Sequence, residues 1–156
     1  MPPLTIVSGS ALVVPGATGF HFGILSSMMH MAWMRHVCGR LESRYQYSVN
    51  IVYNNFPWPP NVSDKQRSTV EAAAQRVLDA RAQFKGQTLA DLYDPLAMPK
   101  PLRDAHKELD RAVDKYYRTA PFESERVRVE YLFTLHQRLT APLIAPARGR
   151  RGGKAA

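Results

Sequence analysis

The stretch Pro57-Trp58-Pro59-Pro60 constrains this chain more than any other. Proline has a fixed φ and no backbone donor, so neither a continuous helix nor a central strand passes through three prolines in four positions. The chain therefore divides at residue 60 into two zones with different patterning. In the first, Leu4–Val7 and Ala11–Val14 are short β-prone runs separated by Ser8-Gly9-Ser10, a turn composition. Pro15-Gly16-Ala17-Thr18-Gly19 interrupts them. From Ile24 to about Leu41, apolar residues recur at spacings of three and four: Leu25, Met28, Met29, Ala32, Trp33, Val37 and Leu41. That periodicity predicts one long helix, and Met31 and Met34 widen its apolar surface enough to predict burial on more than one side. Tyr45, Tyr47, Val49, Ile51 and Tyr53 then alternate with polar residues, a period of two that predicts a half-buried strand.

The second zone, residues 61–146, reads as helical. Ser63 and Gln66 have capping-box spacing. Val70, Ala73, Ala74, Val77 and Phe84 share one face of the helix that follows, and Gly86 stops it. Thr88–Tyr93 predicts a short helical turn. Pro99 and Pro101 suit the start of a third helix, which turns Leu102, Ala105, Leu109, Ala112, Val113 and Tyr116 inward. A fourth, from about Ser124 to Leu139, is expected to bury Val127, Tyr131, Leu132, Leu135 and Leu139 and to end at Pro142. Three amphipathic helices joined by short loops predict a small bundle. The fold class expected is thus α+β and predominantly α: a few strands and one long buried helix, then the bundle.

The formal net charge is +8, and half of it lies in the last ten residues, Ala147 to Ala156. That segment has no apolar side chain larger than Ala, so it is expected to be a disordered basic tail. The rest is only mildly basic, which permits an anionic partner without requiring one. Cys38 is the one cysteine, so no intrachain disulfide forms. No Lys or Arg precedes Arg35, which argues against a secretory signal, and the apolar stretch Ile24–Met34 is too short and too interrupted to span a membrane. A soluble, cytoplasmic chain is the expectation.

Chemistry is sparse. His30, His36 and Cys38 fall on different faces of a helix, and no CxxC or HxxxH supplies a metal-ligand pattern. The glycines at 9, 16, 19 and 23 form no phosphate-cradling loop. Asp110 and Asp114 share a helix face but are surrounded by Arg111, Lys115 and Arg118, which reads as a solvated charged face. Asn54-Asn55-Phe56-Pro57-Trp58-Pro59-Pro60 contains the residue types of the Asn-Pro-Pro-aromatic loop of amino-methyltransferases. The order is wrong, because Phe56 intervenes and Trp58 precedes the double proline, so a packing corner is the expected role.

Several long runs carry a resemblance. Phe22-Gly23-Ile24-Leu25-Ser26-Ser27-Met28-Met29-His30-Met31-Ala32-Trp33-Met34-Arg35, Val37-Cys38-Gly39-Arg40-Leu41 and the segment from Tyr45 to Pro59 closely resemble the C-terminal part of the MmeI-like DNA methyltransferases, adenine-specific enzymes of restriction-modification systems. Glu71-Ala72-Ala73-Ala74, Leu89-Ala90-Asp91-Leu92-Tyr93-Asp94-Pro95-Leu96 and Leu109-Asp110-Arg111-Ala112-Val113-Asp114 extend the resemblance to about residue 142. It implies that residues 1–60 are the C-terminal portion of a target-recognition domain, residues 61–146 a C-terminal helical domain, and residues 147–156 the tail. The family's S-adenosylmethionine loop and catalytic loop lie upstream of the matched region. No catalytic, cofactor-binding or metal-binding residue is therefore expected in this chain, and S-adenosylmethionine belongs to the full-length enzymes.

The function expected is that of a DNA-recognition and clamping fragment, inactive by itself, with double-stranded DNA and an upstream methyltransferase catalytic chain as partners. The alternative is a vestigial or stand-alone helical module with no DNA-modifying role; no helix-turn-helix pattern supports a small regulator. His30, Arg35, Arg40 and Arg44 are the candidate DNA contacts. The three arginines are the only basic side chains of the first zone apart from histidines, and the guanidinium fork suits guanine or phosphate. Pairing of these arginines with Glu42 or with the catalytic domain is the competing reading.

Overall fold

In a computed structural model, residues 11–144 are described, with side chains to residue 141. The expected strand at Leu4–Val7 and the basic tail lie outside that range. Six helices and one hairpin follow in order among the described residues: α1 (Gly19–Leu25), α2 (Met28–Val37), β1 (Gly39–Leu41), β2 (Arg44–Gln46), a π-helical turn (Val49–Tyr53), α3 (Asp64–Ala82), α4 (Leu89–Leu92), α5 (Lys100–Tyr117) and α6 (Glu125–Ile144). The protein is mainly helical with one small antiparallel sheet, as the patterning predicts.

The long first helix is in fact two. Thr18 opens α1 through a capping box with His21. The helix then breaks at Ser26-Ser27, where the Ser27 hydroxyl donates to the Ile24 carbonyl at 2.7 Å and caps α2. The break is locked from outside, because the Asp110 carboxylate of α5 accepts the Met28 amide at 2.7 Å. A buried helix start needs such acceptors for its orphan amides. At the other end α2 stops at Val37, and Gly39–Leu41 is strand where helix was expected.

The expected strand over Tyr45–Tyr53 is also corrected. Only Arg44–Gln46 pairs, and the chain then coils into the π-helical turn, capped by Ser48. The Trp33 indole N–H donates to the Val52 carbonyl at 3.0 Å and draws Val52, rather than Val49 or Ile51, into the core. Ala11–Val14 is irregular, with Leu12 and Val13 exposed and no partner strand among the described residues.

The helical zone follows its periodicity closely. α3 carries the Ser63–Gln66 capping box and buries Val70, Ala73, Ala74 and Val77. The inward face of α5 packs along it. α6 differs in three ways: of its expected inward residues only Leu132 is fully buried while Val127, Tyr131 and Leu135 are half-buried, Leu139 is exposed, and the helix continues past Pro142 to Ile144. Pro142 costs the helix the one bond its missing N–H would donate to the carbonyl of residue 138, and the helix ends two residues later. The three long helices are also not a self-contained bundle. α1 packs against α3, and α6 docks mainly on α2. One core, from Phe20, Ile24 and Met29 through Val70, Leu102 and Leu109 to Leu132, therefore runs across both sides of the proline stretch.

Candidate nucleic-acid interface

The proline stretch sets the geometry of the surface above it. Phe56 is buried, its ring against His30 at 4.7 Å between centroids and also edge-on to Trp58 at 5.3 Å. The Asn55 side-chain amide donates back to the Asn50 and Ile51 carbonyls. The loop closes on the π-helical turn and locks it to α2, which is a packing corner. Gly23 likewise serves packing: a Cβ there would meet Val70 Cγ1 at 2.8 Å.

From this base the hairpin Gly39–Gln46 extends with all six ladder residues exposed. Its register pairs Arg40 with Tyr45 and Leu41 with Arg44. The Arg40 guanidinium lies 3.9 Å from the Tyr45 ring centroid, a cation–π contact that orients the side chain without consuming its donors. Arg44 reaches Glu42 at 3.5 Å, but both side chains are more than three-quarters exposed, so the pair exchanges readily for another anion. Glu42 occupies the tip with φ +56°, in the left-handed region.

The four predicted contacts are thus split. Arg40 and Arg44 both lie on the hairpin, in successive ladder pairs and so on opposite faces of the ribbon. Arg35 lies elsewhere, its Nη1 2.6 Å from the Glu125 carboxylate in a half-buried pair that joins α2 to α6. His30 does not face solvent: it is 3% exposed, and its Nε2 is 3.0 Å from the Tyr47 hydroxyl at the exit of β2. Burial pushes its pKa down to about 4, so the ring is neutral at physiological pH. Burial and the neighbouring Tyr53 push the Tyr47 phenol up. His30 therefore holds the base of the hairpin rather than reaching outward. Sequence patterning does not single out Tyr45 as a partner of Arg40, because Glu42-Ser43 lacks the Asn or Gly that marks a tight hairpin turn.

Among the described residues, no cluster of three or more His, Cys, Asp or Glu is placed to hold a metal, and no helix is long and apolar enough to cross a membrane. The fold and surface define a mainly helical module that presents one arginine-bearing hairpin. Residues 1–60 match the family model for the MmeI target recognition domain, and residues 62–144 match that for the MmeI C-terminal domain. DNA methyltransferase A of Bacillus subtilis (strain 168) is 42% identical over 136 residues, which cover 87% of this chain and 15% of that protein. A solved structure of the Type IIL restriction-modification enzyme MmeI in complex with DNA superimposes with a TM-score of 0.78 at 46% identity, over 82% of this chain and 17% of that one. The chain belongs to the MmeI family of DNA methyltransferases, and it spans less than a fifth of the length of these relatives.

Proposed function

We propose that this chain is the DNA-recognition and clamping part of an S-adenosylmethionine-dependent, adenine-specific (N6) DNA methyltransferase of a restriction-modification system, cytoplasmic and unable to transfer a methyl group by itself. Residues 1–60 act as the end of the recognition domain and residues 61–146 as the helical domain beneath it. An upstream catalytic chain supplies the chemistry. The observation that carries this reading is the exposed hairpin, which presents Arg40 on one face of the ribbon and Arg44 on the other. A two-stranded ribbon fits the major groove, and the guanidinium fork matches guanine or phosphate. Arg35 and His30 contribute by fixing α2 and the hairpin base.

Among the described residues, neither Gly23 nor the asparagines before Pro57 fit S-adenosylmethionine. Gly23 is filled by helix packing, and the asparagines before Pro57 bond back to their own loop. The test is duplex binding by this chain and by its complex with a catalytic part. Arg40→Ala or Arg44→Ala should weaken binding by about 1–3 kcal/mol where a base is read, or flatten the salt dependence by about one unit where a phosphate is held. Unchanged affinity and salt slope for both would favour the stand-alone helical module.

A further inference from the structure

By composition α5 looks like an ordinary mixed face, with Lys100, Arg103, Lys107, Arg111 and Lys115 against Asp104, Glu108, Asp110 and Asp114. The structure separates the two sets. Asp114 is drawn to Arg128 of α6 at 2.5 Å, Asp110 to the Met28 amide of α2, Glu108 to Arg76 of α3 at 2.8 Å, and Asp104 to Lys100 at 2.6 Å. Asp114 and Asp110 are thereby committed in sheltered contacts, and Glu108 and Asp104 each have a partner other than the helix's remaining cations. Arg103, Lys107, Arg111 and Lys115 are exposed and form no ion pair among the described residues. They recur every four residues, on the side opposite the buried Leu102, Ala105, Leu109 and Val113. The row climbs by about 6 Å per step along the helix.

We propose that this row is a second nucleic-acid contact surface, which grips the phosphate backbone of duplex DNA without reading its sequence. A linear series of unpaired cations complements a polyanion whose charges recur at short, regular intervals, and releasing the condensed counterions drives the contact. The partner class rests on the DNA-binding reading given above, but the surface is separate from the hairpin. Phosphate contacts of this kind set register and orientation while base contacts elsewhere specify.

The test measures binding of the full chain to two unrelated labelled duplexes as KCl rises from about 50 to 200 mM. The triple variant Arg103→Gln/Lys107→Gln/Arg111→Gln should bind both duplexes at least about tenfold more weakly at the low-salt end, and should flatten the slope of log affinity against log salt by about 0.9 for each phosphate no longer neutralised. A charge-matched control, Lys65→Gln/Lys85→Gln/Arg138→Gln, should move both quantities much less. Helical circular dichroism confirms that each variant is folded. Parental affinity and slope in the α5 triple would overturn the proposal, and so would an equal loss in the control. The variant Arg40→Gln/Arg44→Gln separates the two readings: a loss confined to it leaves the hairpin and removes the row, whereas a loss confined to the α5 triple does the reverse. Failure of the parental chain to bind either duplex would overturn both.

Discussion

His30 is buried and Asp110 half-buried, and their pKa values move in opposite senses. Burial lowers that of His30 from 6.5 to about 4. Burial chiefly raises that of Asp110 from 3.8 to about 6, against the Met28 amide, which favours the carboxylate. Between pH 4 and 6 the unfolded chain protonates His30 and the folded chain does not, so this group makes stability fall as pH falls. Over the same window the folded chain holds a proton on Asp110 that the unfolded chain has released, so this group makes stability fall as pH rises. Each contributes about 1.4 kcal/mol per pH unit, and the two nearly cancel. Relative to the parent, His30→Gln should tilt the stability profile from pH 4 to 6 downward with rising pH, and Asp110→Asn should tilt it upward. Urea unfolding at three pH values checks this; parallel profiles for the two variants would refute it. Gly23 gives a second prediction. Gly23→Ala should cost about 1–3 kcal/mol by overpacking against Val70, Ala74 and Leu109. Val70→Ala in the same chain should recover part of that loss, a favourable coupling that a double-mutant cycle reads directly.

At the scale of elements, α3 and α5 are legible in the sequence because one face of each is apolar at helical spacing and meets the other. α1, α2 and the π-helical turn are less so, because long-range contacts shape them. Ser27 sits inside a helical pattern, and only the Asp110 carboxylate, 82 positions beyond Met28, makes the break at that point favourable. The alternation of Tyr45, Tyr47, Val49 and Ile51 is a real strand pattern, yet no further strand among the described residues pairs with it, and the bond from Trp33 to the Val52 carbonyl favours a coil. The candidate site shows the same division. Arginines in the first zone are visible as residue types, but which of them remain available depends on Glu125 and Tyr45, whose positions periodicity does not reveal.

The molecule as a whole does not divide where its two family matches meet. Phe20 and Ile24 of α1, Trp33 of α2 and Phe56 share a core with Val70, Leu109 and Leu132, and Tyr117 donates to the Pro57 carbonyl at 3.3 Å across the boundary. The zone before Asn61 contains both tryptophans, Trp33 and Trp58, while α3, α5 and α6 contain most of the helix. Fluorescence therefore reports one side and far-ultraviolet circular dichroism mostly the other. If the two sides are one cooperative unit, their unfolding midpoints coincide. Leu109→Ala, which empties a fully buried site on α5, should cost about 2–5 kcal/mol and move both midpoints by the same amount. A circular dichroism midpoint that shifts while the tryptophan midpoint stays in place would show that the zones unfold separately and that the shared core does not couple them.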